Sequence, residues 1–311
     1  MASGEIVFFG TPALCLPFLE ELSRFYSISL IITQPDRPAG RQLKLTAPAV
    51  KKYAETHSIP CIQPDKLSGN RHLLREISAL NPLIGITLSY GRLVPREIFS
   101  LPRFGTVNLH FSLLPELRGA APVQRALEKG LAFTGLTVFA LEEKLDSGPI
   151  WKQHKVAIDP AETTEDFMNR ILPEAAVFLR STIGEIIGGL LTNREQDHLV
   201  ASQAPRLLKE EGRIDWSLPA PALYNKWRAF TPWPGLYFTS AGRQVRLLQV
   251  RSRTDRSGRP PGTVLSLDQE KLTVSCAAGT AMEIISLQPA GKKAMSAHAF
   301  SLGNPLPRIL P

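Results

Sequence analysis

Within GTVNLHFSLLPELRGAAPVQR (105–125), an amide and an imidazole stand two residues apart: Asn108 and His110. Both side chains hydrogen-bond, and only the imidazole titrates near neutral pH. The run 105–109 reads as a buried strand, and residues i and i+2 of a strand project to the same side. Asn108 and His110 therefore leave the carboxyl end of one strand together, where open parallel sheets bind ligands. A lone histidine in this place also fits the role of a satisfied structural residue at a strand terminus. The SLLP turn that follows, and the RGAAP segment, favour a rigid clamp around a ligand. Further on, EKLDSGPI places Asp146 just past a strand at 135–141. Asp146 is either a turn aspartate or the carboxylate that orients His110. Loops that follow the strands of a parallel sheet gather at one edge, which would bring the two together. Such a trio divides acid–base work: the carboxylate stabilises the imidazolium, while amide and imidazole donate to a developing oxyanion.

Other chemistries lack their residues. The first strand–helix turn, FFGTPALC, has one glycine, so neither a dinucleotide fingerprint nor a P-loop is present. No GxSxG elbow, HExxH or paired-cysteine motif occurs, and the six histidines are not spaced for a metal, so none is expected. Three widely spaced cysteines, Cys15, Cys61 and Cys276, read as free buried thiols in a reducing cytoplasm.

The elements that must position the trio follow from the apolar pattern. Strand candidates lie at 5–10, 28–33, 83–88, 105–109 and 135–141, with helical stretches at about 14–24, 46–57, 70–80 and 120–129. Strands alternating with helices imply a Rossmann-like, largely parallel sheet covered on both faces. A longer helical pattern over 163–190 closes this domain, residues 1–190. The polar stretch 191–208 reads as a linker. From 209 to 311 the texture changes to short strands at 236–240, 244–250, 262–267, 271–276 and 281–287, which suggests a small OB-like β-barrel. No apolar run approaches the ~20 residues that cross a bilayer. The amino terminus has no basic stretch ahead of an apolar core, so neither a membrane association nor a secretory signal is expected.

Net charge is +8, and it is unevenly spread. Residues 207–311 carry 14 basic and 7 acidic side chains, a net of +7, against +1 for the rest. Six arginines fall between 243 and 259, among them Arg243, Arg246, Arg251 and Arg253, opposed there only by Asp255. The cluster is either a solvated surface or a footprint for a phosphate backbone.

Along nearly its whole length the chain resembles the methionyl-tRNA formyltransferase family. The matching pieces are FxGTP (8–12), QPDRPAGR (34–41), NLHFSLLPELRGAAPVQRAL (108–127), LDSGP (145–149), RAFTPWPG (228–235) and LQPAGKKAM (287–295). The NxHxSLLP core with its downstream LDxGP is shared more widely by enzymes that use 10-formyltetrahydrofolate. The resemblance implies Asn108, His110 and Asp146 as catalytic residues, and Ser112, Leu113, Leu114 and Pro115 as part of the folate site. It implies a loop with Arg37, Arg41 and Lys44 that reaches the acceptor end of tRNA, and an OB-like domain that holds the tRNA; the charge pattern offers Arg243, Arg246, Arg251 and Arg253 for its phosphates. The implied co-substrate is 10-formyltetrahydrofolate, and the implied partner is charged initiator tRNA. A cytoplasmic monomer is the expected form. Two positions depart from the family: Lys44 alone follows Arg41 where further lysines are common, and Phe111 replaces a small residue after the histidine. Formyl transfer to a small amine and hydrolysis of a formyl-folate would use the same trio, but neither needs QPDRPAGR or a basic second domain. A non-catalytic nucleic-acid binder would explain the charge and leave NLHFSLLP without a purpose.

Overall fold

The computed structural model describes residues 4–39 and 44–310. They form two compact units. The first holds the described residues up to Pro122, together with Thr134–Val156 and Asn169–Ala204; the second holds Val123–Phe133, Ala157–Met168 and the chain from Pro205 on.

The first unit is built on β1 (Glu5–Gly10) and β2 (Ser27–Ile32), with α1 (Leu16–Ser23) between them. Next comes a separate antiparallel ribbon of β3 (Arg37–Ala39) and β4 (Lys44–Thr46), then α2 (Ala49–Thr56), β5 (Cys61–Ile62) and α3 (Arg71–Leu80). The chain continues through β6 (Ile84–Leu88), α4 (Arg96–Phe99), β7 (Thr106–His110), α5 (Pro122–Glu128), β8 (Phe133–Ala140), β9 (Ile150–Ala157) and α6 (Thr164–Ile187). Seven strands make one sheet in the order β5-β2-β1-β6-β7-β8-β9. The strands β5, β2, β1, β6 and β7 run parallel. Strand β1 is buried on both faces, as a central parallel strand must be. On one face Val7 and Phe9 pack with Leu30, Ile32, and Leu73 and Ile77 of α3. Each such side chain contributes about 1.5–3 kcal/mol on burial.

The five expected strands recur to within two residues. Strand direction differs at one place. β8 pairs antiparallel with β7, with Val107 opposite Ala140 and His110 opposite Thr137. A helical segment precedes β8, but here it does not serve as a parallel crossover. Strand β9 (IWKQHKVA) was not expected, because its central residues are polar and only half-buried. The proline- and glycine-rich loop contains the β3–β4 ribbon at its described ends, with Arg37 opposite Thr46 and Ala39 opposite Lys44.

The second unit contains α7 (Ala220–Phe230), then β10 (Tyr237–Ser240), β11 (Arg243–Thr254), β12 (Val264–Leu267), β13 (Leu272–Cys276), β14 (Thr280–Pro289), β15 (Met295–Ser296) and α8 (Ala297–Gly303). The strands form an antiparallel sheet in the order β10-β11-β14-β13-β12, with β15 on β14. Leu223 and Trp227 of α7 and Phe300 of α8 join Leu236, Phe238, Val274 and Ile284 in its core. Arg228, in the RAFTPWPG motif, is only 3% exposed. Its guanidinium donates to Asn225 Oδ1 and to the carbonyls of Asp159, Glu162 and Leu127. Removing it strands these acceptors away from water, so Arg228→Leu is expected to lower the unfolding free energy by about 1–3 kcal/mol. Denaturant unfolding measures this; an unchanged midpoint would mean that the acceptors find water. Among the described residues no helix is long and apolar enough to cross a membrane.

Candidate active site

Asn108 and His110 lie on one side of β7, as their spacing requires, between β6 (Thr87 opposite Asn108) and β8. His110 is 5% exposed. Asp146 comes to it: His110 Nδ1 lies 3.7 Å from Asp146 Oδ2. The route differs from the one that a parallel sheet would give. Ala140, the last residue of β8, stands opposite Val107 at the far end of β7. The connection to Asp146 therefore runs back along the sheet to reach His110. Asp146 has φ 52°, a left-handed conformation that aspartate adopts more readily than most residues.

Both imidazole nitrogens face protein acceptors. Nε2 donates to the Leu117 carbonyl at 2.8 Å, while Nδ1 faces Asp146. Asp146 Oδ2 in turn accepts the Gly119 N–H at 2.8 Å. Gly119 has φ 124°, and a Cβ there would stand 2.6 Å from the Ala204 carbonyl, so only glycine fits. Burial pulls the His110 pKa below its ordinary 6.5, outweighing the Asp146 charge and the Leu117 carbonyl that push it up. The Leu117 carbonyl calls for a proton on Nε2, and Nδ1 faces the Asp146 carboxylate. This differs from the sequence expectation in one respect: the Nε2 proton is committed to Leu117 and is not open to an incoming oxyanion. Asn108 is the open donor. Its side chain is half-buried and hydrogen-bonds nothing among the described residues.

The SLLP turn is internally satisfied. Ser112 Oγ donates to the Glu116 carbonyl. Thr137 Oγ1 donates to the Ser112 carbonyl and accepts the Leu114 N–H. Gln153 Nε2 donates to the Leu114 carbonyl. Leu113 and Pro115 keep half-buried apolar faces. Gln153, Gln196 and Ser202 are site-supporting residues with no signal in the sequence. The stretch read as a linker is fastened to the site: Ile150 and Arg194 exchange backbone hydrogen bonds, and Ser202 and Ala204 pair with Leu117, Arg118 and Ala121. Polar side chains spent on backbone distant in sequence leave no hydrophobic period to read.

Of the residues expected to meet tRNA, Arg37 and Lys44 are exposed on the ribbon, and Arg41 lies outside the described residues. The ribbon's base is pinned by Asp36, which accepts from Lys51 and Gln63. In the second unit, Arg243 and Arg251 are exposed, and Arg253 is exposed 3.4 Å from Glu283. Arg246 is committed elsewhere: its guanidinium holds the carbonyls of Pro232 and Pro234 in the TPWPG turn. No group of three or more histidine, cysteine, aspartate or glutamate side chains among the described residues could hold a metal ion.

The direction of the His110 shift sets a pH dependence. Between the folded pKa and 6.5 the unfolded chain binds more protons at this group. Its contribution to stability is therefore complete above 6.5 and is lost as pH falls, by up to about 1.4 kcal/mol per unit. The acid-side loss should be smaller in His110→Gln. Asp146→Asn should lower the ring pKa further, because it removes the charge that holds it up. Nitrogen NMR of the imidazole reads that shift; an unmoved titration would make Asp146 a turn residue only.

A family profile described as formyl transferase matches residues 6–183, and one described as formyl transferase, C-terminal domain, matches 206–305. The chain is 38% identical over 305 residues to a methionyl-tRNA formyltransferase of Acidobacterium capsulatum, covering 97% of each chain. It is 35% identical over 300 residues to that of Bacillus subtilis, covering 96% of this chain and 94% of the relative. Its fold resembles that of the N-formyltransferase from Helicobacter canadensis, solved with folinic acid and dTDP-3-aminofucose: TM-score 0.68, 17% identity, 91% of this chain and 99% of that one.

Proposed function

Because this chain belongs to the methionyl-tRNA formyltransferase family, we propose that Asn108, His110 and Asp146 are the residues with which it performs the family's reaction. The enzyme transfers the formyl group of 10-formyltetrahydrofolate to the free amino group of methionyl-tRNA, giving N-formylmethionyl-tRNA for translation initiation. The observation that carries the assignment of residues is the pairing, on one strand, of a carboxamide with no partner among the described residues and a buried imidazole backed by a carboxylate.

The folate supplies an activated formyl carbonyl, and the amine of an aminoacyl ester is substantially neutral at pH 7, near or below the ~7.7–8.0 of a peptide amine. No covalent enzyme intermediate is required. Asn108 donates to the oxygen that gains charge as the amine adds. His110 takes up the amine's proton, its charged form stabilised by Asp146 Oδ2 beside Nδ1 and by the Leu117 carbonyl on Nε2. It then returns the proton to the departing nitrogen. The half-buried faces of Leu113 and Pro115, beside the fixed backbone of Ser112 and Leu114, suit the flat ring system of the folate.

Residues 1–190 form the catalytic domain in this reading, 191–208 join it to the next, and 209–311 form an OB-like tRNA-binding domain with Arg243, Arg251 and Arg253 toward the phosphates. Arg37 and Lys44, with Arg41, approach the acceptor end. The enzyme works as a cytoplasmic monomer. The test is formylation of charged initiator tRNA by the purified protein with 10-formyltetrahydrofolate. Transfer to a small amine at a comparable rate, with none to tRNA, would overturn the reading.

A further inference from the structure

We infer that the segment 194–204 is a positioning strap for the catalytic pair, acting through the side chains of Gln196 and Ser202. The inference rests on the assignment of Asn108, His110 and Asp146 made above. Gln196 is 5% exposed, and its carboxamide is fully used. Nε2 donates to the carbonyls of Asp146 at 3.0 Å and Gly148 at 2.7 Å. Oε1 accepts from Nε and Nη2 of Arg118 at 3.1 and 2.6 Å. One side chain thus joins the loop that carries Asp146 to the loop that carries Leu117 and Gly119. The left-handed Asp146 backbone is held on both sides: Gln196 grips its carbonyl, and the Gly119 N–H grips its carboxylate.

Ser202 serves the other imidazole nitrogen. Its Oγ accepts the Leu117 N–H at 2.9 Å, and the Leu117 carbonyl accepts from His110 Nε2. Leu117 is also left-handed, with φ 58°. The strap backbone reinforces this hold, since Arg118 donates to the Ser202 carbonyl and Ala204 to that of Arg118. Both acceptors that face His110 are therefore set by one segment remote in sequence. Neither Gln196 nor Ser202 touches the reacting atoms in this account; each acts through Asp146 or Leu117.

Gln196→Glu separates positioning from folding. A carboxylate still accepts from Arg118, now as an ion pair, but it cannot donate to the Asp146 and Gly148 carbonyls and repels them. Its kcat for charged tRNA should fall about 10- to 100-fold, since displacement of a reacting group by an ångström costs that much. KM for the folate and for tRNA should stay within about twofold. In an Asp146→Asn background the same substitution should cost less than about threefold, because the carboxylate it positions is already gone. Ser202→Ala keeps the strap backbone and should lower kcat about three- to tenfold, less so beside His110→Ala. It decides the matter if Gln196→Glu does not fold. Turnover within twofold of the parent in a folded variant, losses that simply multiply in the double variants, or a rise in KM in place of a fall in kcat would overturn the strap. Normal turnover in Asp146→Asn itself would instead remove the catalytic assignment. An impaired Asp146→Asn beside a normal Gln196→Glu would remove only the strap.

Discussion

His110→Ala and Asn108→Ala should each lower kcat by about 100- to 1000-fold while leaving KM for the folate and for charged tRNA nearly unchanged. A donor aimed at charge that develops only in the transition state is worth about 3–4 kcal/mol of barrier, and its loss appears in kcat. Asn108 meets that description because its carboxamide has no partner among the described residues. A structural amide in a half-buried strand would be engaged by its neighbours. His110 meets it differently. Its ring is buried and backed by Asp146 across 3.7 Å, so it has a stabilised place for one proton. Because the two act on one event, the double variant should fall far short of the product of the single losses. Single-turnover formylation separates chemistry from tRNA binding and release. Near-normal turnover in either variant would take that residue out of the chemistry. A matched rise in KM would make it a binding residue.

Replacing Arg243, Arg251 and Arg253 together by Ser should flatten the salt dependence of tRNA binding by up to ~0.9 per lost phosphate contact. For three contacts and a fourfold rise in salt, the parent should lose up to about fortyfold more affinity than the variant. These three are exposed on β11, in the stretch where the net charge of +7 is concentrated. Arg246, between them in sequence, is left out because it holds the TPWPG turn through Pro232 and Pro234. Arg253 should contribute least, since Glu283 lies 3.4 Å away and also takes Lys271. Cutting the chain near 206 would be a poor substitute. The second unit includes Val123–Phe133 and Ala157–Met168, whose carbonyls Arg228 binds. Affinities at several salt concentrations decide it: an identical slope in parent and variant would make the cluster a solvated surface.

The sequence alone determines much of this molecule wherever a local pattern has a single physical outcome. Apolar runs such as EIVFFG and LIGITL have only a buried strand to form. The NxH spacing puts two side chains on one side of whatever strand bears them, and the charge of residues 207–311 is a sum that folding cannot alter. The tertiary structure decided which partners those residues meet. Nothing local marks β8 as antiparallel, because a strand's direction depends on the path of its connection. Asp146 reaches His110 because its loop returns along the sheet, not because strand ends gather there. Arg246 and Arg253 have the same local character, yet one ties down a turn and the other lies exposed on the sheet. Residues 194–204 look like a linker because their polar side chains bond to backbone distant in sequence, which leaves no period to detect. Apolar burial is written along the chain as a repeat, whereas the hydrogen bonds of a lone Gln196 or Ser202 exist only once remote carbonyls and amides have been brought within 3 Å.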